Sequence, residues 1–218
     1  MSSIRKDFNK VPLFLAVSVA SLLGFFWKMS PIVGSSFGFF SMSDVVMPLT
    51  GALSFTLSLC VAAARSGLTF WYLASPVKAL VYHIPGLAAS AAWARPSWAV
   101  RIALPALCMI LFIAHPIGRY AMPYTFYWLI PMAIHLVGRR SIFLQALAST
   151  FIAHAVGSVI WLYCKQIPVV IWWDLIPVVA AERLFNALVM TVAYYGIVCL
   201  SGYTRKLYAR YQARIIKV

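Results

Sequence analysis

Three observations predict an all-α fold: a polytopic membrane helix bundle of six spans plus one short interfacial or re-entrant helix. The 218 residues are 63% hydrophobic and only 10% charged, with a mean hydropathy of +0.89. Soluble domains carry roughly 25% charged residues, so this chain lacks the polar surface to cover a water-facing core. The apolar residues come in long uninterrupted runs, and the basic residues fall almost entirely between the runs and in the tails. A net charge of +14 would point to nucleic acid in a soluble chain. Distributed this way, it orients a membrane protein instead. The length accommodates a single integral membrane domain over 1–218.

The apolar runs are 11–27, 44–64, 77–94, 101–118, 120–138, 141–163 and 174–201. Six are expected to cross, since a span needs about 20 residues. The first, preceded by Arg5, Lys6 and Lys10, reads as a retained span rather than a cleaved leader. Run 77–94 contains Lys78, His83 and Pro85-Gly86 and reads as interfacial or re-entrant. If it does not cross, Arg5, Lys6, Lys10, Arg65, Lys78, Arg95, Arg101, Arg139, Arg140 and the tail Arg205, Lys206, Arg210, Arg214 and Lys217 share one face. Lys28, Arg119 and Lys165 alone mark the other, and Arg183 lies within a span. The positive-inside bias then places both termini in the cytoplasm, in the plasma (inner) membrane. Val137-Gly138-Arg139-Arg140 reads as a tight inner link and His115-Pro116-Ile117-Gly118-Arg119 as a tight outer one. Segment 28–43 reads as an outer loop whose Phe37, Phe39 and Phe40 fold back over the bundle. Trp27, Trp161, Trp172 and Trp173 are expected in an outer aromatic belt. The basic tail beyond Tyr203 suits anionic lipid. Cys60, Cys108, Cys164 and Cys199 are scattered and read as small packing residues.

Polar residues within the spans form four faces. On the first span, Ala16, Ala20 and Gly24 share a small-residue face that packs within the chain or docks a partner. The second offers Asp44, Thr50, Gly51, Ser54 and Ser58; the fifth offers Thr150, His154, Gly157, Ser158 and Trp161. Hydrogen-bonded helix packing is the plain alternative to a binding role for both. The last span holds Asp174, Glu182, Arg183 and Asn186. Intramembrane charges carry an insertion cost of roughly 2.5–3.5 kcal/mol and point by default to function, or to a structural pair with another helix. Glu182 and Arg183 are adjacent and point roughly 100° apart, so they are not expected to be simply each other's partner. By helical rise, Glu182 lies about 12 Å below Asp174, and His154 about 13 Å below Tyr163. His115, Arg119 and Tyr124 fall at the outer ends of the third and fourth spans, so these polar groups are expected to converge on one cavity open to the outside.

Catalytic signatures are missing from the sequence. His83, His115, His135 and His154 have no HxxxH or HExxH spacing, so no metal or other cofactor is expected. There is no GxSxG elbow and no GxxxxGK[ST] loop, so the chain has no P-loop with which to hydrolyse ATP. No catalytic residue is assigned, and the expectation is that the chain is not an enzyme.

Three features carry a resemblance to a known family. They are Ala16-xxx-Ala20, the segment Phe40-Ser41-Met42-Ser43-Asp44-Val45-Val46-Met47-Pro48-Leu49-Thr50-Gly51, and Trp173-Asp174-Leu175-Ile176-Pro177 leading into Leu184-Phe185-Asn186. The pattern resembles the S components, the substrate-binding membrane subunits of energy-coupling-factor vitamin and micronutrient transporters. The resemblance implies a six-span protein with internal termini that captures a small vitamin-like or cofactor-precursor molecule from outside. It also implies partners: a coupling membrane subunit met by the Ala16, Ala20, Gly24 face, and two cytoplasmic ATPase subunits. The expected ligand contacts are Asp44, His115, Arg119, Tyr124, His154, Trp161, Trp173, Asp174, Glu182, Arg183 and Asn186. Aromatic rings would stack on the ligand, and Arg183 or Arg119 would pair with a carboxylate or phosphate. The alternatives are a small membrane enzyme acting on a lipid-soluble substrate, with His154 and Glu182 as acid and base, and an assembly protein with no ligand.

Overall fold

A computed structural model of the chain describes residues 28–31, 39–73, 82–138, 141–165 and 167–215. The first apolar run, with Ala16, Ala20 and Gly24, lies outside the described residues, as does the 77–81 part of the third. Helix dominates. Two short strands, β1 (Lys28–Pro31) and β2 (Phe39–Ser41), pair antiparallel ahead of it, where the sequence predicts only a loop.

The predicted span 44–64 is divided. Helix α1 covers Met42–Leu53, Ser54 breaks the chain, and α2 covers Phe55–Leu73. Successive bonds show that α2 doubles back along α1. Thr50 Oγ1 meets Ser58 Oγ at 2.8 Å, Arg65 Nη1 meets Met47 Sδ at 3.1 Å, and Thr69 Oγ1 meets His83 Nε2 at 3.0 Å. Arg65, expected in an inner link, is therefore a buried residue of α2. Pro48 lies inside α1 and lacks the N–H that a continuous helix would use. The polar stripe Thr50, Ser58 is spent on this hairpin.

Helix α3 (Ile84–Ala94), within the third run, packs between α1 and α7 (Ile142–Cys164). Its alanines make that possible: Ala89 and Ala92 are fully buried, and small side chains allow neighbouring backbones to approach. On one side, a Cβ on Gly51 would overlap the Ser90 carbonyl. On the other, Ser149 Oγ donates to the Ala89 carbonyl at 3.1 Å.

A π-helical turn (Ala99–Ala103) opens α4 (Leu104–Ala114), where Pro105 removes a ladder donor and Leu104 N–H reaches back to Ala99 O. The fourth predicted run, 120–138, is not one helix either. It is the end of α5 (Pro116–Tyr120), a 3-10 segment (Met122–Trp128) and α6 (Leu129–Val137), closed by Gly138 at φ 67°. The last helix, α8 (Val169–Ile215, 47 residues), starts five residues before Asp174 and runs well past 201.

Among the described residues two helices are long and apolar enough to cross a membrane, Ile142–Cys164 and the Val169–Cys199 part of α8. The helices from Ala99 to Ala114 and Ile84 to Ala94 are apolar but shorter, so the described residues do not display the six expected spans. The outward face of α8 carries Leu184, Phe185, Leu188, Val192, Tyr195 and Val198, and α4 adds Leu107, Ile110 and Leu111. Apolar stripes of this extent match lipid better than water.

Candidate functional site

The polar centre of the bundle lies where α7, the 3-10 segment and α8 meet. α7 presents His154 and Ser158, four apart on one face. Across from them Tyr124 Oη lies 2.7 Å from His154 Nε2 and 3.2 Å from Ser158 Oγ. On the other side of the imidazole, Trp128 Nε1 donates to His154 Nδ1 at 3.3 Å. An indole nitrogen can only donate, which makes Nδ1 the acceptor and puts the imidazole proton on Nε2. His154 Nε2–H then donates to Tyr124 Oη, and the Tyr124 hydroxyl donates to Ser158 Oγ. The chain of bonds has one direction and ends on a serine hydroxyl with its own hydrogen to give.

Aromatic rings wall this network. Phe112 of α4 stacks on Tyr124 at 5.7 Å and meets Trp128 and Trp172 edge-on at 5.3 and 5.0 Å. Trp172 also meets Tyr124 edge-on at 5.0 Å. Phe112 and Trp128 are fully buried. Trp172 Nε1 is buried with no hydrogen-bond partner among the described residues, a second spare donor in addition to the serine hydroxyl. Tyr127 anchors the 3-10 segment, stacking on Phe151 and donating its hydroxyl to the Ile176 carbonyl at 2.8 Å.

Arg183 is buried on α8, and its charge bears on both Tyr124 and His154. Arg183 Nη2 lies 3.3 Å from Glu182 Oε2, although the two residues are adjacent in sequence. Long side chains close an angular gap that separates their Cβ atoms, and a low-dielectric site rewards them for it.

Tyr124, His154, Glu182 and Arg183 thus gather around one centre, and the other expected contacts stand apart. His115 Nδ1 accepts the Ile117 N–H at 3.2 Å, capping α5, and its ring meets Tyr163. Arg119, Trp173 and Asp174 are exposed. Trp161 is half-buried, its ring edge toward Tyr82 at 6.5 Å. Asn186 is half-buried one turn beyond Glu182. Asp44 belongs to α1, and its side chain lies outside the described residues. Trp172, expected in an outer aromatic belt, is instead a core residue. Phe112, Trp128 and Trp172 escape the sequence argument. The dense run Tyr124-Thr125-Phe126-Tyr127-Trp128 is the one signal that could have found part of this wall. Among the described residues no three His, Cys, Asp or Glu side chains group as metal ligands.

No protein-family model matches the chain, and neither curated proteins nor solved structures give a match to it.

Proposed function

We propose that this chain is the ligand-binding membrane subunit of a transporter of the energy-coupling-factor type, taking up a small polar molecule with an aromatic or heterocyclic part. The observation that supports this reading is the His154–Tyr124–Ser158 network, buried among aromatic rings beside the Arg183–Glu182 pair. Polar and charged groups at such depth are costly and mark ligand or ion sites in membrane proteins. The spare donors, Ser158 O–H and Trp172 Nε1–H, favour a ligand rich in acceptors, and the rings favour one with a flat apolar face. In this reading the chain is multi-pass in the plasma (inner) membrane with both termini cytoplasmic. Ala16, Ala20 and Gly24 meet a coupling membrane subunit, and two cytoplasmic ATPases supply the energy. A binding site alone cannot pump; a second state must be favoured by a differential interaction.

Intact-mass analysis of the protein purified gently from its native membrane tests this reading, with a stoichiometric small molecule as the expected result. Arg183→Ala should insert normally and lose that molecule together with uptake. Unchanged uptake by this variant would remove the site from consideration. Chemical turnover by the purified chain without partners would instead favour a membrane enzyme using His154.

A further inference from the structure

The start of α7 and the end of α3 enclose a second cation, away from the network above. Arg101, in the π-helical turn, is only 8% exposed. Its Nη2 donates to Gln145 Oε1. Gln145 Nε2 in turn donates to the Ala92 carbonyl at 2.6 Å, which fixes the amide with its oxygen toward the guanidinium. Arg101 Nε is buried and has no hydrogen-bond partner among the described residues. One residue beyond Ala92, Trp93 stacks on Tyr194 of α8 at 5.5 Å, and its buried Nε1–H is also without a partner. This end of the bundle therefore carries a fixed charge and spare donors.

Among the described residues it carries no matching acid. The chain has four acidic residues: Asp7, Asp44, Asp174 and Glu182. Glu182 is paired with Arg183. Asp174 lies about 30 Å along α8 from Tyr194. Asp44 begins α1, at the end opposite to Leu53, and Asp7 lies outside the described residues. Among the described residues no carboxylate bonds Arg101, and its polar partner there is Gln145. Neighbouring charges sharpen the imbalance: Arg95 ends α3, and Arg139 and Arg140 precede α7 in the sequence. A guanidinium removed from water needs a counter-charge, and one amide oxygen supplies only a dipole.

We propose that this end of the bundle binds a phosphate-bearing anion, with Arg101 as its buried counter-charge. The planar guanidinium fork suits phosphate oxygens, and the Gln145 amide holds it in one orientation. The phosphate belongs either to an anionic phospholipid headgroup or to a soluble phosphate, and the two sources separate by experiment.

The full chain is reconstituted in nanodiscs of phosphatidylcholine with increasing phosphatidylglycerol, and in zwitterionic detergent with increasing inorganic phosphate. Its thermal midpoint is followed in both series. The expected result is saturable stabilisation in at least one. Response to phosphatidylglycerol alone assigns a lipid headgroup; response to inorganic phosphate assigns a soluble ligand. Arg101→Met, which fills the space without a charge, should weaken half-saturation at least about ten-fold, whereas the exposed Arg95→Gln should change it less than about three-fold. Should Arg101→Met not fold, Arg101→Lys carries the comparison: it keeps the charge, loses the fork and should bind several-fold more weakly. A wild-type midpoint indifferent to both anions overturns the proposal, as do Arg101 variants that titrate like the wild type.

Discussion

At the scale of single residues, the buried network makes a sharp demand on Tyr124. Its hydroxyl both receives from His154 and gives to Ser158, so Tyr124→Phe removes both bonds and leaves only the longer 3.5 Å approach of His154 Nε2 to Ser158 Oγ in a ring-lined interior. Stranding buried polar groups costs about 1–3 kcal/mol. The thermal midpoint of Tyr124→Phe should fall accordingly, while Tyr120→Phe, at an exposed position, should not move it. Arg183 allows a second comparison. Arg183→Met alone strands Glu182 and should destabilise by about 3–5 kcal/mol, whereas combining it with Glu182→Gln should recover most of that loss. Equal stability of the single and double variants would show that the pair is not the partner that matters. His154, Tyr124 and Arg183 are legible in the sequence because polar groups in apolar runs stand out by cost. Trp172 is not. It sits beside Trp173, and nothing in the pair says which ring turns inward until α8 is placed against α4.

At the scale of elements, α3 decides how α1 and α7 pack. Eleven residues, mostly small, fill a space that larger side chains would not enter. Gly51 and the Ser90 carbonyl meet so closely that Gly51→Ala must push α1 away from α3. Overpacking of this kind typically costs 1–3 kcal/mol. Reduced thermal stability with retained helix content by circular dichroism is the expected outcome, and an unchanged midpoint would contradict the close approach. The sequence marked the third run as unusual through Pro85-Gly86 and its alanines, but it did not indicate the return of α2. Run 44–64 is apolar throughout, and hydropathy registers composition, not direction. The reversal depends on Ser54 leaving the helix and on Thr50, Met47 and His83 offering partners to Ser58, Arg65 and Thr69. Each of those contacts is long-range or crosses the break, beyond the reach of a local pattern.

At the scale of the whole molecule, the apolar outer stripes of α8 and α4 suit lipid, and the proposed threading rests on the basic residues. α7 and α8 are antiparallel neighbours joined near Lys165, while Arg139 and Arg140 lead into the far end of α7. Single cysteines placed by Arg139→Cys and Lys165→Cys, in a background freed of native cysteines, should react with a membrane-impermeant reagent from opposite sides. Labelling of both from one side would overturn the proposed threading.

The sequence by itself determined the environment and its chemical exceptions. Long apolar runs, scarce acids and abundant bases are sums over residues, and they survive any rearrangement of the helices. It also singled out His154, Glu182 and Arg183, because a polar group in an apolar run is conspicuous wherever the run goes. Tertiary structure alone decided which groups meet. The Tyr124–His154–Ser158 network, the enclosing rings and the solitary Arg101 depend on helix rotation and on which chains lie side by side. Those are set by close packing among distant residues, whose contact energies no single segment contains.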